Sequence, residues 1–377
     1  MENRAGVFMK QPSGYNSFIP KKLPPNPPLS IDSEMLKLLS DADRKLGRLD
    51  GITQILPNPE LFVAMYVQKE AVLSSQIEGT QASLTDVLDI GPDTKNTEVQ
   101  DVVNYVSAMN YGLERLKDFP LCLRLIREIH AKLLEKGRGS NRNPGEFRTT
   151  QNWIGPAGCT LLNATFIPPT VPDMQDALAD LETFFYEDDN IPSLIKIALI
   201  HAQFESIHPF LDGNGRVGRL LITFWLCSEQ ILSAPLLYLS YYFKSNRIEY
   251  YDRLMAVRKL GDWENWVKFF LRGIASVSDE ATESAKLIIR LKENYTHILS
   301  NKNNNNYIKL LDNLFEYPYV TKNKVAELLD ITYPTASSIV EEFVKFKILI
   351  DTTPNQQRNK KYCFSEYVTI LNRGTEL

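Results

Sequence analysis

The chain has 377 residues, of which 44% are hydrophobic and 23% charged, ordinary for a globular protein and enough for two or three domains. A formal charge of −4 is too mild for a protein dominated by nucleic-acid or anionic-membrane binding. Four cysteines (Cys122, Cys159, Cys227, Cys363) without a C-x-x-C pair, and only four histidines (His130, His201, His208, His297), exclude a disulfide framework and a His-rich metal site.

The first residues lack the apolar core of a secretory signal, and runs such as "RLLITFWLCSEQIL" are interrupted and too short to span a bilayer. The expectation is a cytoplasmic protein with no membrane partner. In chain order, "FIPKKLPPNPPLS" reads as an extended, proline-rich arm. From Ile31 the pattern turns helical, with Met35, Leu38, Leu39, Ala42, Leu46 and Leu49 on one face. In "LPNPELFVAMYVQKEAVLSSQIEGT", Asn58 is the expected N-cap, with Pro59 and Glu60 in the first turn. Gly79 is the first break, so this helix runs for about twenty residues. Further helices are predicted near 98–116, 122–136, 173–187, 193–207, 217–231, 246–259 and 262–297. Between them, 148–172 is rich in β-formers and turn residues and reads as a β-hairpin, the next helix beginning at Asp173. "NKNNNN" (301–306) marks a domain boundary. Beyond it, a helix, a turn, a second helix and a hairpin resemble a winged helix-turn-helix. The expected fold is mainly α, divided into an N-terminal region (1–95), a helical core (96–300) and a C-terminal domain (301–377).

Residues 208–219 read "HPFLDGNGRVGR", with Gly213–Gly218 a literal G-x-G-x-x-G. A dinucleotide fingerprint must follow a strand, whereas "SLIKIALIHAQFESIHPF" has helical periodicity, and no acid stands near Tyr238 to take a ribose. A Walker loop lacks its lysine, and Arg216 and Val217 occupy positions an EF-hand needs. What remains is an anion-binding turn. Gly213 and Gly215 let backbone N–H groups converge, and the following helix N-terminus favours phosphate. Arg216 and Arg219 can reach phosphate oxygens, and Asp212 suffices for Mg²⁺ when nucleotide and water supply the other ligands. His208 stands where a general base for a hydroxyl would. Singly, these residues read as a structural histidine, a turn former and a solvated helix start; together they have complementary roles.

The stretch resembles the signature of the Fic (Fic/Doc) family, H-P-F-x-(D/E)-G-N-G-R with a second arginine three residues on, and matches every position. The resemblance implies an all-helical core that transfers AMP from ATP to a Ser, Thr or Tyr hydroxyl of a protein. His208 would then be the base and Asp212 the Mg²⁺ ligand. Gly213, Asn214 and Gly215 would line the anion hole, with Arg216, Gly218 and Arg219 at the phosphates. "SSQIEG" resembles the family's inhibitory motif (S/T)-x-x-x-E-(G/N) through Ser74, Glu78 and Gly79. That implies a Glu78–Arg219 pair which denies the arginine to ATP. Without the resemblance, Glu78 reads as an exposed acid at an unfavourable helix end. The 148–172 segment would be the family's flap, with Ile154 and the Phe166–Pro169 stretch clamping the target or merely packing the hairpin. Tyr250 and Tyr251 would border the adenine, and Arg258 stands where some relatives carry asparagine. Self-modification and a homodimer are further implications.

Two other readings keep their place. In one, Glu78 orients water to hydrolyse an AMP–protein ester. In the other, the C-terminal domain binds DNA through "PTASSIVEEFVKFK", using Ser337 and Ser338 with Arg358, Lys360 and Lys361 in the wing. Against DNA, residues 301–377 hold ten Lys/Arg and nine Asp/Glu, and Glu341 and Glu342 lie on the reading helix.

Overall fold

The computed structural model describes all residues except 1–2, 55, 57–58, 90–96, 157, 188–189, 301–304, 357 and 374–377. The expected cap Asn58, most of the "NKNNNN" break and the 95/96 boundary lie outside the described residues. The chain opens with a hairpin that the sequence reading missed, β1 (Gly6–Lys10) and β2 (Asn16–Pro20), paired antiparallel from Gly6↔Pro20 to Lys10↔Asn16. Only the first three residues of the proline-rich arm, Phe18 to Pro20, are therefore strand, and the rest lacks regular structure.

Asp32 then caps α1 (Ser33–Gln54), its Oδ1 accepting the Met35 N–H at 2.8 Å. The helices that follow are α2 (Pro59–Ile77), α3 (Leu84–Asp89), α4 (Thr97–Arg115), α5 (Leu123–Leu133), α6 (Val171–Tyr186), α7 (Ser193–Ile207), α8 (Asn214–Ser228), α9 (Ser240–Ser245), α10 (Arg247–Leu260) and α11 (Trp263–Ser300). The C-terminal part runs α12 (Asn305–Leu314), β3 (Tyr319–Thr321), α13 (Lys322–Leu329), α14 (Tyr333–Lys345), β4 (Ile350–Asp351), β5 (Lys361–Cys363) and α15 (Ser365–Asn372). Its small sheet has the order β3-β5-β4, antiparallel throughout. The fold is mainly helical, as the periodicity predicted.

The centre is α7, where every residue from Leu194 to Ile207 is buried; a helix apolar on all sides belongs inside. Against it pack α8, α6, α10 and the first half of α11, while α1 lies along α11. At 38 residues, α11 is about 57 Å long. Between the core and the N-terminal helices, α2 touches α4, α8 and α9. No helix among the described residues is long and apolar enough to cross a membrane.

Two expectations are corrected. The 148–172 segment is no regular hairpin: its only ladder among the described residues is the antiparallel bridge Ile154↔Phe166. And α6 begins at Val171 rather than Asp173, with Thr170 in the cap position and Pro172 in its first turn, where a missing N–H costs nothing.

Candidate active site

Residues 208–213 join α7 to α8. Proline cannot continue α7, and the residue before it is pushed out of the α region. His208 accordingly adopts a left-handed backbone (φ 50°, ψ 60°), its N–H still bonded to the Phe204 carbonyl at 2.9 Å. Gly213 (φ 78°) turns the chain into α8, which starts at Asn214, three residues earlier than periodicity suggested. The Asn214 amide bonds both the N–H and the carbonyl of Phe210 at 2.8 Å. Its side chain therefore closes the loop rather than lining an anion hole. His130, on the apolar face of α5, stacks on Phe210 at 3.7 Å. Its Nδ1 accepts the Gly145 N–H at 2.8 Å, so Nε2 carries the proton and donates to the Asp212 carbonyl at 3.0 Å. Burial lowers this imidazole to about 4 and keeps it neutral.

Two arginines sit on the first turns of α8. Arg216 is fully buried; its Nη2 reaches Asp212 Oδ1 at 3.4 Å, while Nε and Nη1 have no partner among the described residues. Desolvation lowers its pKa, the state of a cation short of negative charge. Asp212 Oδ1 also accepts the Gly213 N–H at 2.5 Å. His208 is lowered to about 3, first by burial and then by the Arg258 and Arg148 charges, which leaves it neutral as a base must be.

Arg219, also buried, is already occupied. Nε donates to Ser74 Oγ at 2.7 Å, and Nη2 to the Ser74 carbonyl at 2.9 Å and Glu78 Oε1 at 2.8 Å. Burial would raise the Glu78 carboxyl, but the Arg219 charge and hydrogen bond, with Arg216 behind them, hold it below its ordinary value. A Cβ at Gly215 would strike Glu78 Oε1, so this glycine is where the carboxylate enters. Gly79, just beyond, bonds the Gln76 carbonyl at 3.0 Å as α2 ends.

Other expected residues fall elsewhere. Gly218 faces α7, and its carbonyl accepts the His201 Nδ1–H at 2.9 Å. Tyr250 is buried and donates its O–H to His201 Nε2 at 2.9 Å, stacked on Phe243 at 4.4 Å, so it belongs to the wall behind the site. Tyr251 is 40% exposed and near enough to Glu78 and Arg219 to feel their charges. Arg258 is spent on the Glu205 carbonyl at 2.9 Å and Ser206 Oγ at 3.1 Å, and lies over the Phe166 ring at 4.0 Å. Phe166 is buried against Phe18, with centroids 5.8 Å apart, so its side chain packs the interior; Ile154 is only half-buried.

Residues 36–114 match the Fic/DOC family N-terminal model, and 120–226 the Fic/DOC family model. The protein adenylyltransferase fic-1 of Caenorhabditis briggsae is 27% identical over 254 residues, 65% of this chain and 46% of that protein. The protein adenylyltransferase Fic of Culex quinquefasciatus is 29% identical over 218 residues, 54% of this chain and 40% of its own. The matched stretch thus spans less than half the length of these curated relatives. The crystal structure of a Fic family protein from Desulfovibrio desulfuricans G20 superposes with a TM-score of 0.58 at 20% identity, covering 89% of this chain and 97% of that one. It shares the fold.

Proposed function

We propose that this chain, which carries a Fic/DOC family domain behind a Fic/DOC N-terminal region, transfers AMP from ATP to a Ser, Thr or Tyr hydroxyl of a protein, with Glu78 holding it inactive. The observation that carries the reading is the convergence on one turn of a neutral His208, Asp212 and the buried, under-partnered Arg216. Such a site is short of an anion, and the names of the relatives point to a nucleotide.

The target hydroxyl gives its proton to the His208 imidazole. Its oxygen forms a bond to the α-phosphorus as the bond to the bridging β-phosphate oxygen breaks, and pyrophosphate leaves. Arg216 and the first N–H groups of α8 take the phosphate charge. Asp212, a single carboxylate beside an anion site, fits Mg²⁺ shared with ATP, which would neutralise phosphate charge there. With Arg219 paired to Glu78, the distal phosphate lacks its partner and the α-phosphate is held out of line. The protein itself and a second copy are candidate acceptors.

Beyond α11, the order α13, α14 and the β4–β5 pair supports a winged-helix module. Lys322 pairs with Glu341 at 2.8 Å and Lys360 with Asp351 at 2.7 Å. These pairs blunt a phosphate-binding face and favour protein docking, which a duplex-DNA titration across salt decides.

The test of the reaction incubates the parent, Glu78→Gly and His208→Ala with Mg²⁺ and α- or γ-labelled ATP. Protein label from the α-position alone, raised in Glu78→Gly and lost in His208→Ala, is the expected result. Label from the γ-position would make the protein a kinase and overturn the reading.

A further inference from the structure

Sequence reasoning assigned nothing to Arg148, yet it is among the largest fully buried side chains, only 2% exposed. A buried guanidinium ordinarily meets a carboxylate. The partners of this one are three backbone carbonyls: Nε donates to His208 at 3.1 Å, Nη1 to Thr150 at 3.2 Å and Nη2 to Pro169 at 2.6 Å. Its own N–H bonds the Pro209 carbonyl at 2.9 Å. Burial lowers it only to about 10, so it stays charged at neutral pH.

Those carbonyls are not neighbours by accident of packing. Thr150 and Pro169 lie on the two arms of the segment whose ends meet at the Ile154↔Phe166 bridge. His208 carries the base. Its carbonyl accepts a second hydrogen bond, from Asn152 Nδ2 at 3.1 Å, and the same amide donates to Phe210 at 2.9 Å. His208 needs such a grip, because a left-handed backbone is unfavourable for a residue with a Cβ (φ 50°). Arginine suits the place because its planar fork serves three acceptors in fixed directions, where lysine is a single point.

We infer that Arg148, assisted by Asn152, is a positioning residue that ties both arms of the 148–172 segment to the backbone of His208 and thereby sets the distance between an acceptor hydroxyl held on that segment and the imidazole. The inference rests on the proposed AMP transfer and on that segment presenting the acceptor. Neither side chain touches the reacting atoms; both act through His208. The cost of losing them falls on the chemical step, since a displacement of about 1 Å costs on the order of a hundredfold, while the nucleotide contacts on α8 stay in place.

The test uses the full chain carrying Glu78→Gly, with and without Arg148→Lys or Asn152→Ala. Steady-state labelling with α-labelled ATP gives kcat and KM, and amide hydrogen exchange is followed over 150–170 and 204–212. Arg148→Lys is expected to lower kcat by roughly a hundredfold, with KM for ATP within about twofold, and to raise exchange in both segments together. Asn152→Ala, which leaves the guanidinium intact, is expected to show the same split at roughly a tenth of the size. An unchanged kcat in Arg148→Lys, a rise in KM for ATP with kcat kept, or exchange rising in one segment alone would overturn the inference. Should the Glu78→Gly protein transfer no label, the reading of the reaction fails, while the exchange data still decide whether Arg148 joins the two segments.

Discussion

Replacing Glu78 by glycine removes one of three hydrogen bonds that Ser74 and Glu78 accept from Arg219, and the one that carries charge. Glu78 keeps 32% of its side chain exposed but Arg219 only 2%, so removing the carboxylate also leaves a buried guanidinium without its charge partner, a cost in stability that the unfolding midpoint reads. A hydrogen bond to a charged group is worth about 1.5–3 kcal/mol, and every 1.4 kcal/mol is about a factor of ten. AMP transfer should therefore rise by roughly 10- to 100-fold in Glu78→Gly. Glu78→Gln keeps an acceptor near Nη2 but not the charge, and belongs in between. Ser74→Ala loses one Oγ contact and keeps the carbonyl bond, worth about 1 kcal/mol or roughly fivefold. Because Ser74 and Glu78 share one guanidinium, the double variant should fall short of the product of the two effects. The assay is initial-rate incorporation of α-label at saturating ATP, with unfolding midpoints measured in parallel. A Glu78→Gly protein no faster than the parent, or a glutamine variant as fast as the glycine one, would refute the charge-based latch.

The buried titratable groups predict acid sensitivity with a definite sign. Burial holds His130, His201 and His208 at about 4, 3 and 3 against an ordinary 6.5, so below pH 6.5 the unfolded chain takes up protons that the folded one does not, and stability falls. Burial also raises Glu70 and Glu205 to about 7 from 4.5, and these oppose the histidines between pH 4.5 and 7. Three against two leaves a net loss of stability on acidification from pH 6.5 to 4.5, on the order of 1 kcal/mol per pH unit, and a steeper one below; unfolding midpoints that rise on acidification over that range would contradict it. In Gly218→Ala the new methyl meets Glu205 Oε1, an overpacking cost of about 1–3 kcal/mol, read as a lowered unfolding midpoint; an unchanged midpoint would show that α7 and α8 are not in close contact there.

The long elements were legible because each presents a sustained periodicity, whereas the six-residue α3 and α9 and the eight-residue α15 are too short to do so. In β1 the burial pattern does not alternate, since Val7, Phe8 and Met9 are all exposed, and no period of two could reveal it. The start of α8 was hidden by Asn214 and Gly215, poor helix formers that are tolerated because one clamps Phe210 and the other admits Glu78. The 148–172 segment looked like a hairpin on composition, but its carbonyls go to Arg148 and to Gln151, which reaches Pro168 at 3.0 Å. Nothing in a linear pattern announces such a partner. The 208–219 stretch itself was readable because its residues are contiguous. His130, Arg148 and His201, which hold that turn from other elements, were not, although His130 on the apolar face with Ile126, Ile129 and Leu133 offered a signal.

The placement of α2 also constrains how the proposed inhibition would be relieved. Glu70, Ser74 and Glu78 follow one another at four-residue spacing, so they share a face. Glu70 is buried and bonded to Ser240 and to the Tyr105 hydroxyl at 3.2 Å, and Ala71, Val72, Leu73 and Ser74 are 0% exposed. Withdrawing the whole helix would expose several such side chains at about 1.5–3 kcal/mol for each Val or Leu, besides stranding a buried carboxyl. Glu78 itself lies one residue past Ile77, the last residue of α2, in a turn closed by Thr80 N–H on the Ser75 carbonyl at 3.2 Å. Opening that turn sacrifices one charge-assisted contact and little apolar burial. On the proposed reading, release of Arg219 is then a local unwinding at Gly79 and Thr80, with Glu70 and Ser74 staying in place, and anything that relieves inhibition needs to act only on that last turn.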